Sequence, residues 1–232
     1  MFIEIWSDIA CPFCYLGLTK LNKAIENLNL QEEVQIELRT FLLNPGLKTD
    51  LTKSITQYLQ EHKQIPLDQI EVMNQRIVQQ GQEFGLDFRM DQIKVANTIK
   101  AHLLLHEAHE QGLQWACKMR LLKAYFTEGH NIDNIEVLQN LATEVGLKTE
   151  HLDLAILGGK HSRAFTQDLQ EAQDLGLRGV PYFIFDRKVA IHGAREVVAF
   201  EQALSEFFTC NPKATISLLT KVCKNITKND MD

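Results

Sequence analysis

Two cysteines two residues apart, Cys11 and Cys14, occupy the run Ser7-Asp8-Ile9-Ala10-Cys11-Pro12-Phe13-Cys14-Tyr15. That spacing suits half of a metal site, a redox-active disulfide, or two incidental thiols. A zinc ribbon needs a second close pair of cysteines or histidines, whereas Cys117, Cys210 and Cys223 are widely scattered. A proline between the two cysteines, at a junction from strand to helix, argues against accident, because Pro12 fits the first helical position. Cys11 would then be the N-cap, where unpaired N–H groups and the helix dipole favour a thiolate. In such motifs the cysteine pKa falls from about 8.5 into a range of roughly 3.5–7. Cys14, one turn in and more sheltered, is placed to attack a mixed disulfide on Cys11.

A second candidate is Gly179-Val180-Pro181-Tyr182-Phe183. Proline cannot donate a ladder hydrogen bond, so Pro181 belongs at a strand's beginning or edge. Local sequence alone favours a trans bond before it, as in about 95% of X–Pro bonds. His102, His106 and His109 recur at helical spacing, and the first two could share a face. No carboxylate ligand is evident beside them, so packing or cleft lining is expected rather than a metal site. Cys117, between Trp115 and Met119, reads as a small core residue. Cys210 and Cys223 are either an accessory relay to Cys14 or two inert thiols. His192 receives no role, and Asn225-Ile226-Thr227 matters as a glycosylation pattern only in a secreted chain.

The elements that must position these residues follow from periodicity. Phe2 to Trp6 alternates and predicts a strand. Leu18, Leu21, Ile25 and Leu28 predict an amphipathic helix over 11–28. Val34, Ile36, Leu38 and Thr40 share one face of a strand over 33–41. The three make a βαβ unit with parallel strands. After Asn44-Pro45-Gly46 no strand is expected from Thr49 to Leu175. Helices are expected near 51–62, 67–84, 92–111, 114–128, 134–145, 149–157 and 161–175. Tyr182 to Phe185 and Val189 to Ile191 predict a hairpin around Asp186-Arg187-Lys188. A helix near 195–208 and an amphipathic stretch over 213–225 close the chain. Neither flank can bury its own apolar face, so the two are expected to share one sheet. The fold class is therefore α/β, with residues 1–48 and 176–232 forming one discontinuous domain and 49–175 an inserted all-helical domain.

The chain has 232 residues, enough for one large domain carrying an insertion. Its net charge of −6 and lack of a lysine or arginine run argue against nucleic acid as a partner. No stretch approaches the roughly 18 apolar residues of a membrane span. Glu4 and Asp8 interrupt the first ten residues and no basic residue precedes Lys20, so a secretory leader is not expected. The expected compartment is the cytoplasm, where a C-x-x-C is more often catalytic or metal-binding than structural. An odd count of five cysteines agrees with this.

A CPxC motif after the first strand, a helical insertion and a Gly-Val-Pro-aromatic-Phe run before a hairpin resemble the DsbA-type branch of the thioredoxin superfamily. The segments SDIACPFCYLG, AHLLLHEA, LLKAYFTEG and LRGVPYFIFDRKVAIHGA resemble more narrowly its FrnE-like oxidoreductases. The resemblance spans residue 3 to about 208. It implies a thioredoxin fold, βαβ followed by ββα. It implies that Cys11 is the exposed nucleophile, Cys14 its resolving partner, and Val180–Pro181 a cis bond beside the cysteines. Pro12, Phe13, Val180 and Pro181 would contact substrate, with the backbone before Pro181 pairing to an extended peptide. Many oxidising relatives carry histidine where this chain has Phe13. Without that charge, a less extreme Cys11 pKa and a milder potential are expected.

The expected activity is thiol–disulfide exchange on protein or small-molecule substrates bearing thiols or disulfides. No cofactor is expected beyond the redox-active disulfide, with glutathione as an available co-substrate; direction and oligomeric state stay open. Two alternatives remain. The 2-hydroxychromene-2-carboxylate isomerases and kappa-class glutathione transferases resemble the same layout, typically with serine at the position of Cys11. A holdase would use the cleft without turnover.

Overall fold

The computed structural model describes residues 1–209. Its main sheet holds four strands, β1 (Phe2–Ser7), β2 (Gln35–Thr40), β5 (Tyr182–Phe185) and β6 (Val189–His192), in the order β2-β1-β5-β6. Helix α1 (Pro12–Asn27) links β1 to β2. These strands run parallel, Phe2 opposite Gln35 and Ser7 opposite Thr40. β5 returns antiparallel to β1, with Trp6 opposite Tyr182, and β6 is antiparallel to β5. The two ends of the sequence thus build one sheet, the thioredoxin arrangement.

Strand β1 is buried on both faces because the alternation of its side chains serves two cores. Ile3 and Ile5 pack with Leu38, Phe183 and Phe185 on one face, together with α1 and α9 (Val197–Thr209). Trp6 and Ile184 pack on the other against Ala172 of α8 (Ser162–Asp174). Each such large side chain contributes roughly 1.5–3 kcal/mol of burial. Glu4, on the Trp6 face, is buried but ionised, since Arg39 and Arg187 both bind its carboxylate. Arg187 reaches it from the β5–β6 turn, where Asp186 and Arg187 adopt φ of +46° and +56°. Two left-handed central residues match the right-handed twist of the hairpin. Asp186 also accepts from the Phe2 backbone, which ties the turn to the start of β1.

Between β2 and β5 run α2 (Ile55–Lys63), α3 (Leu67–Gln82), α4 (Ile99–Glu110), α5 (Gln114–Phe126), α6 (Ile135–Glu144), α7 (Leu152–Leu157) and α8. One expectation fails here. Residues 49–175 are not free of strand: β3 (Asp50–Ser54) pairs with β4 (Lys94–Val95) in a small antiparallel sheet. Neither has a buried alternation to announce it. The pairing is instead imposed by hydrogen bonds that draw distant loops together, from Asn97 to Thr49 and Leu47 and from Ile55 to Ile93. Helix α2 therefore starts at Ile55 rather than 51, and Ser54 and Gln57 form a capping box there. Helix α4 likewise begins at Ile99 rather than 92. Helix α5 reaches the sheet through Gln114, whose side-chain amide bonds both the N–H and the C=O of Leu38, 2.9 Å each. No helix among the described residues is long and apolar enough to cross a membrane. Cys210, Cys223 and the stretch 213–225 lie outside the described residues.

Candidate active site

Helix α1 begins where the sequence places it. Cys11 is the N-cap in an extended conformation (φ −102°, ψ 109°), Pro12 follows inside the first turn, and the Cys14 N–H donates to the Cys11 carbonyl at 3.0 Å. Cys11 Sγ faces the carbonyl of Val180 at 3.5 Å, and the Val180–Pro181 bond is cis. The loop before β5 therefore lies against the start of α1. Gly17 makes this approach possible: a Cβ there would stand 2.9 Å from Pro181 Cγ and 3.2 Å from Phe183 Cζ. Pro181 is buried and its carbonyl accepts from the Gly193 N–H at 2.8 Å, which fixes the turn after β6 to the same loop.

The exposure of Cys11 differs from expectation. Only 4% of its surface is open, because the Val180–Pro181 loop covers it, while Phe13 projects at 36%. Pro12 and Val180 are half-buried. Cys14 has no open surface at all. Burial pushes its thiol well above the ordinary value, and a hydrogen bond with Cys11 and the field of that sulfur add to the effect. Lys118 and a hydrogen bond with the Asp8 backbone oppose it. Its surroundings thus favour the thiol form of Cys14 over the thiolate.

Below the cysteines lies a polar cluster that sequence reasoning did not single out. Asp8 directly follows β1 and is buried. One carboxylate oxygen accepts from the Ala10 N–H (3.4 Å) and contacts His102 Nε2 (3.3 Å); the other accepts from the Leu43 N–H (2.8 Å). Burial opposes its charge, but His102, Leu43 and Lys118 together hold its pKa below the usual carboxylate value. His102, from α4, is pushed down by burial, with Lys118 adding to the effect, despite the Asp8 contact. Lys118, from α5, is fully buried, and its Nζ has no hydrogen-bond partner among the described residues. Burial lowers its pKa, while Cys14, Asp8, Cys11 and Cys117 favour its charge. One signal could have found it. Gln114, Cys117, Leu121, Leu122 and Tyr125 mark the buried face of α5, and Lys118 falls on that stripe.

The three histidines of α4 do not converge. His102 turns to Asp8, His106 meets Thr40 Oγ1 at 3.1 Å, and His109 is exposed. A different group, Glu107, Glu110 and His161, brings ligand-type atoms within 4.8 Å of one another. The Lys160 ammonium already sits there, 2.6 and 2.7 Å from the two glutamates. Cys117 is a buried free thiol, with burial raising its pKa to about 12. His192 is exposed, with its ring 5.8 Å from that of Tyr182.

The family model of the DSBA-like thioredoxin domain matches residues 2–205. The chain belongs to that family. Among solved structures, this DSBA-like protein is 30% identical to a probable DsbA oxidoreductase from Streptomyces coelicolor, with a TM-score of 0.83 and 89% of each chain covered. The cytosolic disulfide reductase DsbM of Pseudomonas aeruginosa shares the fold at 18% identity and a TM-score of 0.63, covering 91% of this chain and all of its own. Among curated proteins, the uncharacterized YwbO of Bacillus subtilis is 26% identical over 88% of this chain and 96% of its own.

Proposed function

We propose that this DSBA-like protein is a thiol–disulfide oxidoreductase of the FrnE-like branch, working through Cys11 and Cys14. The observation that carries the reading is the placement of Cys11 Sγ at the helix N-cap, 3.5 Å from the Val180 carbonyl, with protonated Cys14 one turn behind. In the reducing direction the Cys11 thiolate attacks one sulfur of a substrate disulfide and expels the other as a thiolate. Cys14 then loses its proton and attacks Cys11 of the mixed disulfide. The substrate leaves as a dithiol, and the enzyme retains a Cys11–Cys14 disulfide, two electrons having moved. A low-molecular-weight thiol or a protein dithiol returns those electrons. The reverse sequence oxidises a substrate dithiol. Pro12, Phe13, Val180 and Pro181 form the contact surface around the reacting sulfur. The odd cysteine count and the free, buried thiol of Cys117 suit a reducing compartment such as the cytoplasm.

Equilibration in graded glutathione buffers, acid quenching, alkylation and peptide mass spectrometry test the reading. The expected result is a Cys11–Cys14 disulfide following a two-electron curve, with a glutathione adduct accumulating on Cys11 in Cys14→Ser. A midpoint near −270 mV would indicate a reductase, and one near −200 mV or above an isomerase or oxidase. A Cys11 that stays free, or binds glutathione while Cys14 takes no part in wild type, would overturn it in favour of a glutathione-dependent reaction. Function that survives replacement of both cysteines by serine would instead indicate a holdase.

A further inference from the structure

A groove of about 700 Å³ opens beside the cysteines and runs from Phe13 along α3 to the turn between β6 and α9. Two chemistries line it. Phe13, Val72 and Met73 are apolar, and Val72 is 66% exposed. Arg76 and Arg195 supply cationic groups from opposite walls. Two acids also line the groove: Glu196 is bound at 3.0 Å by Lys20, whose ammonium is buried, while Asp68 keeps its charge in the first turn of α3, where the helix dipole favours it. Arg195 donates through Nε to the His192 carbonyl, and its remaining N–H groups are unpartnered among the described residues; Arg76 has no partner there either. The wall carrying Arg195 is bonded to Pro181 through Gly193, and the neighbouring Val180 carbonyl faces Cys11 Sγ, so groove and sulfur adjoin the same loop.

We propose that this groove selects protein substrates, binding an extended segment that carries an acidic and an apolar side chain close to its reactive cysteine. This rests on the oxidoreductase reading of Cys11 and names the substrate class of that site. Guanidinium groups with open donors match a carboxylate in bidentate geometry, and Phe13, Val72 and Met73 offer the apolar residue a dry contact. Glutathione supplies carboxylates but no apolar side chain beyond its cysteine, and would leave Val72 in water.

The test uses the full reduced protein and peptides whose single cysteine is disulfide-linked to a chromogenic thiol. Neighbouring residues are Asp with Leu, Asp with Ser, Asn with Leu, or Lys with Leu. The readouts are the release rate and, separately, the binding of unreactive versions with serine for cysteine. The Asp-Leu peptide should lead the Lys-Leu peptide by about tenfold or more at low salt, with the gap narrowing at high salt. Each of Arg76→Ala and Arg195→Ala should cut the Asp-Leu to Asn-Leu ratio by roughly 1.5- to 5-fold, the range of an exposed ion pair. The charge reversals Arg76→Glu and Arg195→Glu should cut it further. Arg163→Glu, which changes net charge equally on α8, should leave the ratio unchanged. A ratio blind to both groove arginines, with release intact, overturns the groove assignment. Glutathione disulfide outpacing every peptide, with that advantage lost in Arg76→Glu, would make the groove a glutathione subsite and overturn it as well. Ranked binding with no release in any peptide would sink the oxidoreductase reading while leaving the docking preference standing.

Discussion

Replacing Gly17 by alanine separates the stability of this fold from the geometry of its reactive centre. A glycine in a helix interior costs about 1 kcal/mol relative to alanine, so helix propensity alone predicts that Gly17→Ala stabilises the protein by that amount. The structure predicts otherwise. The new methyl would lie 2.9 Å from Pro181 Cγ, 3.2 Å from Phe183 Cζ and 3.4 Å from Ala194 Cα. Unstrained carbon contacts sit at about 3.5–4.0 Å, so the Pro181 contact is short by roughly 0.6–1.1 Å. All three neighbours are held: two are buried rings and the third is backbone. Overpacking of this kind costs about 1–3 kcal/mol, which leaves a net loss between zero and roughly 2 kcal/mol. The functional loss should be larger. The loop that must retreat is the one facing Cys11, and a displacement near 1 Å at a reacting centre can cost about a hundredfold. We therefore expect a denaturation free energy lowered by no more than about 2 kcal/mol but a 10- to 100-fold slower reaction of Cys11 with a small disulfide. An alanine variant about 1 kcal/mol more stable than wild type with an unchanged exchange rate would refute the steric reasoning.

Three further outcomes follow from the same geometry. Lys118→Met removes a lysine that eases deprotonation of Cys14; for each tenfold loss of thiolate, higher nucleophilicity returns about threefold, so stopped-flow resolution of the Cys11 mixed disulfide should slow roughly threefold or more. An unchanged rate would exclude Lys118 from the resolving step. Phe13→His places a cation among the reduced thiols and should raise the midpoint potential, about 30 mV for each 1.4 kcal/mol of preference for the thiolate form; a lower potential in glutathione buffers would contradict this. Burial works against the charge of Glu107, but Lys160, His161 and Gln111 outweigh it and bring its pKa down to about 2, from 4.5. A folded value below the unfolded one supplies stability above pH 4.5 that is lost as pH falls towards 2. Glu107 is partly open to solvent, so the advantage of wild type over Glu107→Gln should be about 1 kcal/mol above pH 5 and vanish near pH 2. Chemical denaturation across that range measures it, and a gap that widens in acid would count against the ion pair.

The sheet and its reactive helix were readable because their signals are local. Alternation over Phe2–Trp6 and Tyr182–Phe185, helical spacing from Leu18 to Leu28, and proline after Cys11 each reflect a few adjacent residues settling into one backbone state. Strands β3 and β4 carry no such pattern, being short, polar and defined by bonds across more than forty residues. The Ser54–Gln57 capping box was legible and would have moved the start of α2 to its observed place. The cluster beneath Cys14 was not, because Asp8, His102 and Lys118 come from three separate elements. A lone lysine on an apolar helix stripe signals that something compensates it without saying what. The cover over Cys11 likewise depends on how closely Gly17 lets the Pro181 loop approach, which no spacing of residues expresses.

The side chains that Asp8 and Cys14 face come from α4 and α5, which lie between the two sequence segments that form the main sheet. The helices are therefore not a detachable lid. A chimera that kept residues 1–48 and 176–209 and borrowed the intervening helices from a relative would give Asp8 a foreign counterpart. Its cysteines would then inherit the electrochemistry of the donor. Swapping the CPFC loop alone would leave His102 and Lys118 to tune a motif they were not matched to. On the oxidoreductase reading, the unit that carries redox character is the pairing of the β1–α1 loop with α4 and α5, because Asp8, Cys14, His102 and Lys118 meet across it.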